Sequence, residues 1–214
     1  MSTKGERTRQ HLMDVAIAAF ERDGFANTSM RALAKEAGVS VGLAYRYFDA
    51  KEAIVLAFYE QTAEELARQP IEGFSLGARF HSVMREKYTL LRPHHRAMGS
   101  VMAAMLDPEG PVGVLSPATE RLRGITQGVL REAVGGTPGV PDDLKEPLLH
   151  VAWLGHLLLM LAWVQRPEAA ERLTERVAGA LDMAQPFLGM PMARQALQGV
   201  AEALAGFVDV AAES

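Results

Sequence analysis

RALAKEAGVSVGLAYRYF, residues 31–48, decides how this chain reads. Its first half sets Leu33, Ala34 and Ala37 at helical spacing and stops at Gly38. Its second half opens on Ser40, a residue whose hydroxyl suits a helix N-cap. Two short helices are therefore joined by the turn AGVS. The residue leaving the first helix sits at positive φ, a conformation that costs any side chain with a Cβ, so glycine belongs there. Ala34 supplies the small residue where the helices cross, and Val39 is expected to plug the core beneath the turn. This spacing is that of a helix-turn-helix.

The flanks agree. RTRQHLMDVAIAAFERDG carries Leu12, Val15, Ala16, Ala19 and Phe20 at i, i+3, i+4 spacing and ends at Gly24. NTSMRALAKEAG follows, with Thr28 or Ser29 as its cap. DAKEAIVLAFYEQTAEELARQ begins a fourth helix, with Asp49 as expected N-cap and Glu52 three residues on. Beyond Pro70 the periodicity predicts helices at about 75–91, 94–106, 117–134, 142–165, 168–187 and 191–210. DPEGPVG and GGTPGVP are the clearest loops. No run reads as a strand, so the expected class is all-α. An N-terminal helix-turn-helix domain over residues 1–52 precedes a larger helical domain over 53–214.

Charge is distributed unevenly. The 214 residues carry a net charge of −4, yet residues 1–51 hold eight Lys and Arg against six Asp and Glu. A mildly basic head on an acidic body suits an anion-binding role for the head. Zero cysteines exclude a disulfide scaffold, a thiolate nucleophile and a sulfur-ligated zinc site. The polar start MSTKGERTRQ lacks the apolar segment of a signal peptide, and a cytoplasmic protein is expected. LLHVAWLGHLLLMLAWV, residues 148–164, falls just short of the roughly 18 to 20 apolar residues that span a bilayer. It reads as a buried helix, with no membrane partner.

A recognition helix enters the major groove with its N-terminal residues facing base edges. Here those are Ser40, Val41, Gly42 and Leu43. Gly42 lets backbone approach the DNA closely, and Val41 and Leu43 can touch thymine methyls. Arg46 can reach a guanine edge or a phosphate, and Tyr45 and Tyr47 carry hydroxyls suited to phosphate oxygens. Thr28, Ser29 and Arg31 open the second helix, and Lys51 opens the fourth, where free N–H groups and cations favour an anion. Taken singly, each of these residues could be packed or merely solvated. Taken together they make double-stranded DNA the expected partner.

Residues 8–55 resemble the DNA-binding domain of the TetR family of bacterial transcriptional regulators. The resemblance lies in AIAAFERDGFANTSM, in RALAKEAGVSVGLAYRYF and in DAKEAI. It implies an all-helical homodimer with two such heads and a C-terminal ligand-binding and dimerisation domain. The family's second-helix hydroxyl falls on Thr28 or Ser29. Its recognition-helix contacts fall on Val41, Gly42, Leu43, Tyr45 and Tyr47, and its phosphate lysine on Lys51. Leu43 stands where the family usually has Thr or Ser, and Ala44 where it usually has Leu; both departures bear on base preference.

The body carries no motif of comparable strength. The segment 148–164 is apolar all round and must be covered on every side. EAAERLTERVAGALDMAQPFL is amphipathic through Leu173, Val177, Leu181 and Ala184. Two such helices from each of two subunits make a four-helix bundle that would hold two recognition helices ~34 Å apart on a palindromic site. An apolar ligand pocket is expected between body helices. Phe80, Met84, Tyr88, Met98 and Met102 are candidate lining residues, as are Met105, Trp153, His156, Met160 and Trp163. For any one of them core packing is the favoured reading, and it is the set as a whole that is expected to include pocket residues.

No metal site is expected. His94 and His95 are adjacent, and His150 and His156 are six apart, off the i, i+4 register. His156 could orient a ligand's polar group. No GxSxG, P-loop, GxGxxG or HExxH occurs, and no enzyme or cofactor is expected. The leading expectation is a transcriptional repressor released by a hydrophobic small molecule. Two alternatives stay open: a DNA-binding regulator controlled by a protein partner, and a carrier or enzyme with a vestigial head.

Overall fold

The computed structural model describes residues 4–105 and 113–212. Its regular elements are ten α-helices: α1 (Lys4–Asp23), α2 (Met30–Glu36), α3 (Val41–Tyr47), α4 (Lys51–Arg68), α5 (Leu76–Leu91), α6 (His95–Met105), α7 (Glu120–Gly135), α8 (Asp142–Gln165), α9 (Pro167–Ala184) and α10 (Pro191–Ala212). Among the described residues there is no strand. The loop expected at DPEGPVG lies outside the described residues except for Gly113. α9 stops at Ala184, earlier than its periodicity suggests, and gives way to a 3-10 turn over Gln185–Phe187. Pro186 has no N–H to continue the α-helical ladder.

The chain divides into two compact units, residues 1–62 with 91–122, and residues 63–90 with 123–214. The three cuts fall inside α4, before the last residue of α5 and in the first turn of α7. In the first unit Leu12, Ala16 and Phe20 of α1 are buried, as are Leu33 and Ala34 of α2, Ala44 of α3 and Ile54 of α4. Each large apolar side chain among them contributes about 1.5–3 kcal/mol by leaving water. Arg22 joins the α1 end to α2 by pairing with Glu36 at 2.9 Å and with Asp23 at 2.7 Å. That cluster is open to solvent, so it orients the corner more than it stabilises it. α6 belongs to this unit: the Ala97 N–H in its first turn donates to Glu21 Oε1 at 2.7 Å.

In the second unit α8 packs against both α9 and α10. Leu76, Val134, Val140, Leu144, Leu148 and Leu188 form one buried cluster. The N-terminus of α5 is closed from far along the chain. The Leu76 N–H donates to Gln185 Oε1 and the Gly77 N–H to Asp182 Oδ1, both at 2.7 Å. Arg79 closes the C-terminus of α7, donating to the carbonyls of Ala133 at 2.9 Å and Glu132 at 3.1 Å. The two α5 N–H groups are orphan helix-end donors that need such partners, while the α7 carbonyls of Glu132 and Ala133 also accept from the Gly136 N–H at 2.9 Å and Thr137 Oγ1 at 2.8 Å.

Two expectations are corrected. By length and composition α8 is apolar enough to cross a membrane, because the helix reaches back to Asp142, beyond the uninterrupted apolar run. Eight of its residues, Trp153, His156 and Trp163 among them, are nevertheless buried. On α9 the buried face is Ala170, Thr174 and Ala178; of the expected stripe Val177 and Leu181 are half-buried, Leu181 against the core cluster, while Ala184 is exposed and Leu173 stays 45% exposed. At Ala178 the close approach of α5 bears on this, since an added Cβ on Gly77 would run into the Ala178 carbonyl and Asp182. Only small residues on α9 permit it.

Candidate DNA-binding surface

α2 ends in a Schellman motif. The Val39 N–H donates to the Ala34 carbonyl at 2.9 Å and the Gly38 N–H to the Lys35 carbonyl at 3.2 Å, with Gly38 at φ 68°. Val39 is half-buried rather than a core plug. It occupies the position whose side chain commonly packs back on the last turn in this motif. Ser40 then caps α3, its Oγ accepting from the Leu43 N–H at 3.1 Å. Phe48 ends α3 and is buried, its N–H donating to the Ala44 carbonyl.

With Ala44 and Phe48 turned inward, one face of α3 is left to solvent. Ser40, Val41, Gly42, Tyr45 and Arg46 are exposed, Tyr45 at 49%, while Leu43 and Tyr47 are half-buried. A Cβ placed on Gly42 would meet nothing within 4 Å. The first turn of α3 is thus an open edge with a bare backbone, flanked by a hydroxyl and a guanidinium. Arg9 of α1 stands 4.8 Å over the Phe48 ring and adds a cation at the far end of α3.

At the start of α2 the two hydroxyls divide their work. Ser29 is the cap, its Oγ accepting from the Ala32 N–H at 3.2 Å, and it is exposed together with Arg31. Thr28 is buried and donates to the Gly24 carbonyl at 2.9 Å. The α4 cap position falls on Ala50, because the helix begins at Lys51, one residue later than an Asp49 cap requires. Lys51 itself turns toward the loop between α1 and α2. Its Nζ donates to the carbonyls of Phe25 at 2.7 Å and Thr28 at 3.2 Å, and sits 4.2 Å over the Phe25 ring. Sequence reasoning assigned this lysine to phosphate and had no signal for a contact across 26 residues.

The candidate pocket residues fall in both units. Met98, Met102 and Met105 belong with the head, and only Met98 is fully buried. Phe80, Met84, Tyr88, Trp153, His156, Met160 and Trp163 are buried in the second unit. There Tyr88 stacks on Trp163 with ring centres 5.4 Å apart, and its hydroxyl meets Thr174 Oγ1 at 2.9 Å. Burial pushes the Tyr88 phenol up to about 12. Beside this pair Lys87 Nζ lies 2.6 Å from His156 Nε2. Burial lowers the Lys87 ammonium to about 8, and burial together with that neighbouring charge holds His156 well below 6.5. Lys87 was missed, although it stands on the stripe of Phe80, Met84, Tyr88 and Leu91. No group of His, Asp or Glu is placed to hold a metal ion among the described residues.

The family model for bacterial regulatory proteins of the tetR family matches residues 12–58. Over 76 residues the chain is 36% identical to the HTH-type transcriptional regulator UidR of Escherichia coli (strain K12), covering 34% of this chain and 39% of that protein. The chain thus spans about two fifths of the length of the curated relatives it matches. A tetR-family transcriptional regulator from Streptomyces coelicolor superposes with a TM-score of 0.56 at 22% identity, over 99% of this chain and 90% of that one. FadR of Thermus thermophilus, a TetR family transcriptional repressor solved in complex with lauroyl-CoA, gives 0.55 at 21% identity, over 79% and 92%. At these identities the likeness is one of fold. The head, from Leu12 to Phe58, thus matches the tetR family of bacterial regulatory proteins, and the rest of the chain shares the fold of such regulators.

Proposed function

We propose that the chain is a cytoplasmic transcriptional repressor, not an enzyme, that binds a palindromic operator as a homodimer and is released by a hydrophobic small molecule. The observation that carries the reading is the outward face of α3. Val41, Gly42, Tyr45 and Arg46 stand in solvent while Ala44 and Phe48 anchor the helix in the core. Groove insertion requires this separation of a reading face from a packed one. Support for a dimer comes from apolar side chains left in solvent on the last three helices, among them Leu158 of α8, Leu173 and Met183 of α9, and Met192 and Val200 of α10. A second copy would cover them. Support for an effector comes from the buried aromatic and methionine residues of the second unit, whose polar groups are few.

Selection from random DNA, followed by footprinting and gel shift at two salt concentrations, tests the reading. The expected outcome is an inverted repeat with half-sites about one helical turn apart, bound by a dimer and weakened steeply by salt. Failure to enrich any sequence would overturn it.

A further inference from the structure

The second unit buries a lysine with which no acid pairs among the described residues. Lys87 is 7% exposed and His156 is 4% exposed. Among the described residues the only hydrogen bond of Lys87 is the 2.6 Å contact with His156 Nε2, and no ion pair reaches it. With Lys87 as an ammonium, the imidazole is neutral and accepts from it at Nε2. Two N–H donors and one positive charge then remain uncompensated in an apolar interior. Buried charges are ordinarily paired because desolvation is costly, so an anionic group is the partner this ammonium favours. His156 Nδ1 is buried and has no hydrogen-bond partner among the described residues. Next to His156, Gly155 leaves room for a methyl group, with only the Phe80 ring edge within 4.0 Å.

From these observations we propose that Lys87, oriented by His156, is the anchor for the carboxylate of an otherwise apolar organic acid bound in the second unit. The acid's hydrocarbon or aryl part lies along the α5 and α8 stripes of Phe80, Met84 and Trp163. The carboxylate accepts the two spare N–H bonds and cancels the buried charge, which a neutral alcohol of the same shape does not do. A charge-assisted pair of this kind discriminates strongly because the site is otherwise left unpaired. This assignment rests on the effector-responsive reading above and narrows its ligand to an acid.

The test uses the full chain and its own tryptophans, both of which lie on α8. Dodecanoate and dodecanol, and 4-phenylbutyrate and its alcohol, are titrated while tryptophan emission is followed. At least one acid is expected to saturate at least about tenfold more tightly than its alcohol. Lys87→Met should remove the preference while alcohol binding persists. Neither acid binding in preference to its alcohol, or Lys87→Met keeping the preference, overturns the assignment. Should Lys87→Met fail to fold, Lys87→Gln and the wild-type comparison of acid with alcohol decide alone. A gel shift on the selected operator is run in parallel. Operator release by alcohols alone leaves the repressor reading standing and the carboxylate anchor refuted. Acid binding by a protein that never holds DNA does the reverse.

Discussion

Lys51 Nζ donates to the Phe25 carbonyl at 2.7 Å while standing 4.2 Å over that residue's ring. The first residue of α4 thereby holds the loop that sets up α2. The Thr28 carbonyl accepts from the same ammonium at 3.2 Å, so one side chain supports the entry to the capped helix that carries Ser29 and Arg31. A residue expected to act on phosphate is first of all a strut of the head.

Lys51→Ala should therefore destabilise the protein by about 1–3 kcal/mol, since two carbonyls lose a charged donor. Chemical denaturation measures this. Operator affinity should fall for all sequences together rather than for one base position. An unchanged midpoint would mean that the strut contributes nothing.

Gly42 separates folding from reading. Its surroundings are open, so Gly42→Ala should raise stability by about 0.5–1 kcal/mol through backbone entropy alone. Gly42→Leu should fold equally well yet lose operator binding, because the bulk projects from the first turn of α3 into the groove. Melting and gel shift on the two variants check this. Full operator affinity of Gly42→Leu would place that turn outside the groove.

Gly77 marks a close approach of α5 to α9. A Cβ there would meet the Ala178 carbonyl, and Asp182 Oδ1 at 2.6 Å. Gly77→Ala should cost about 1–3 kcal/mol by overpacking α5 against α9. Asp182→Ala should cost about 1 kcal/mol through the lost cap. Thermal melts of each variant read these effects, and a stable Gly77→Ala would require the two helices to sit further apart.

Lys87 gives stability a pH signature. Its folded value near 8 lies below the unfolded value of 10.5, so the penalty is complete below pH 8 and lifts as pH rises to 10.5. Lys87→Met should be more stable than wild type at pH 7, by at most roughly 3 kcal/mol, and the advantage should shrink toward pH 10.5. His156 adds a limb in acid. Held well below 6.5 when folded, it lets stability fall as pH drops through 6.5. Urea midpoints across this range measure both limbs, and a pH-independent difference between the variants would contradict the buried ammonium.

By itself the sequence determined the all-helical class, the positions of nearly all the helices, and the turn from Ala37 to Ser40. These signals act within four or five residues: a glycine at positive φ, a serine cap, a periodicity of 3.6. Tertiary structure decided which of two amphipathic faces turned inward and which polar side chains were buried with it. On α9 the small residues Ala170, Thr174 and Ala178 went inside while Leu173 stayed exposed; at Ala178 the α5 backbone at Gly77 comes too close for anything larger, and Thr174 meets the Tyr88 hydroxyl. On α5 the lysine at position 87 was drawn into the interior with the apolar stripe it shares, to face a histidine 69 residues away. Lys51 was likewise committed to a carbonyl 26 residues back. Periodicity ranks faces by hydrophobicity, whereas packing ranks them by how closely two backbones can approach. That second ordering depends on partners distant in sequence.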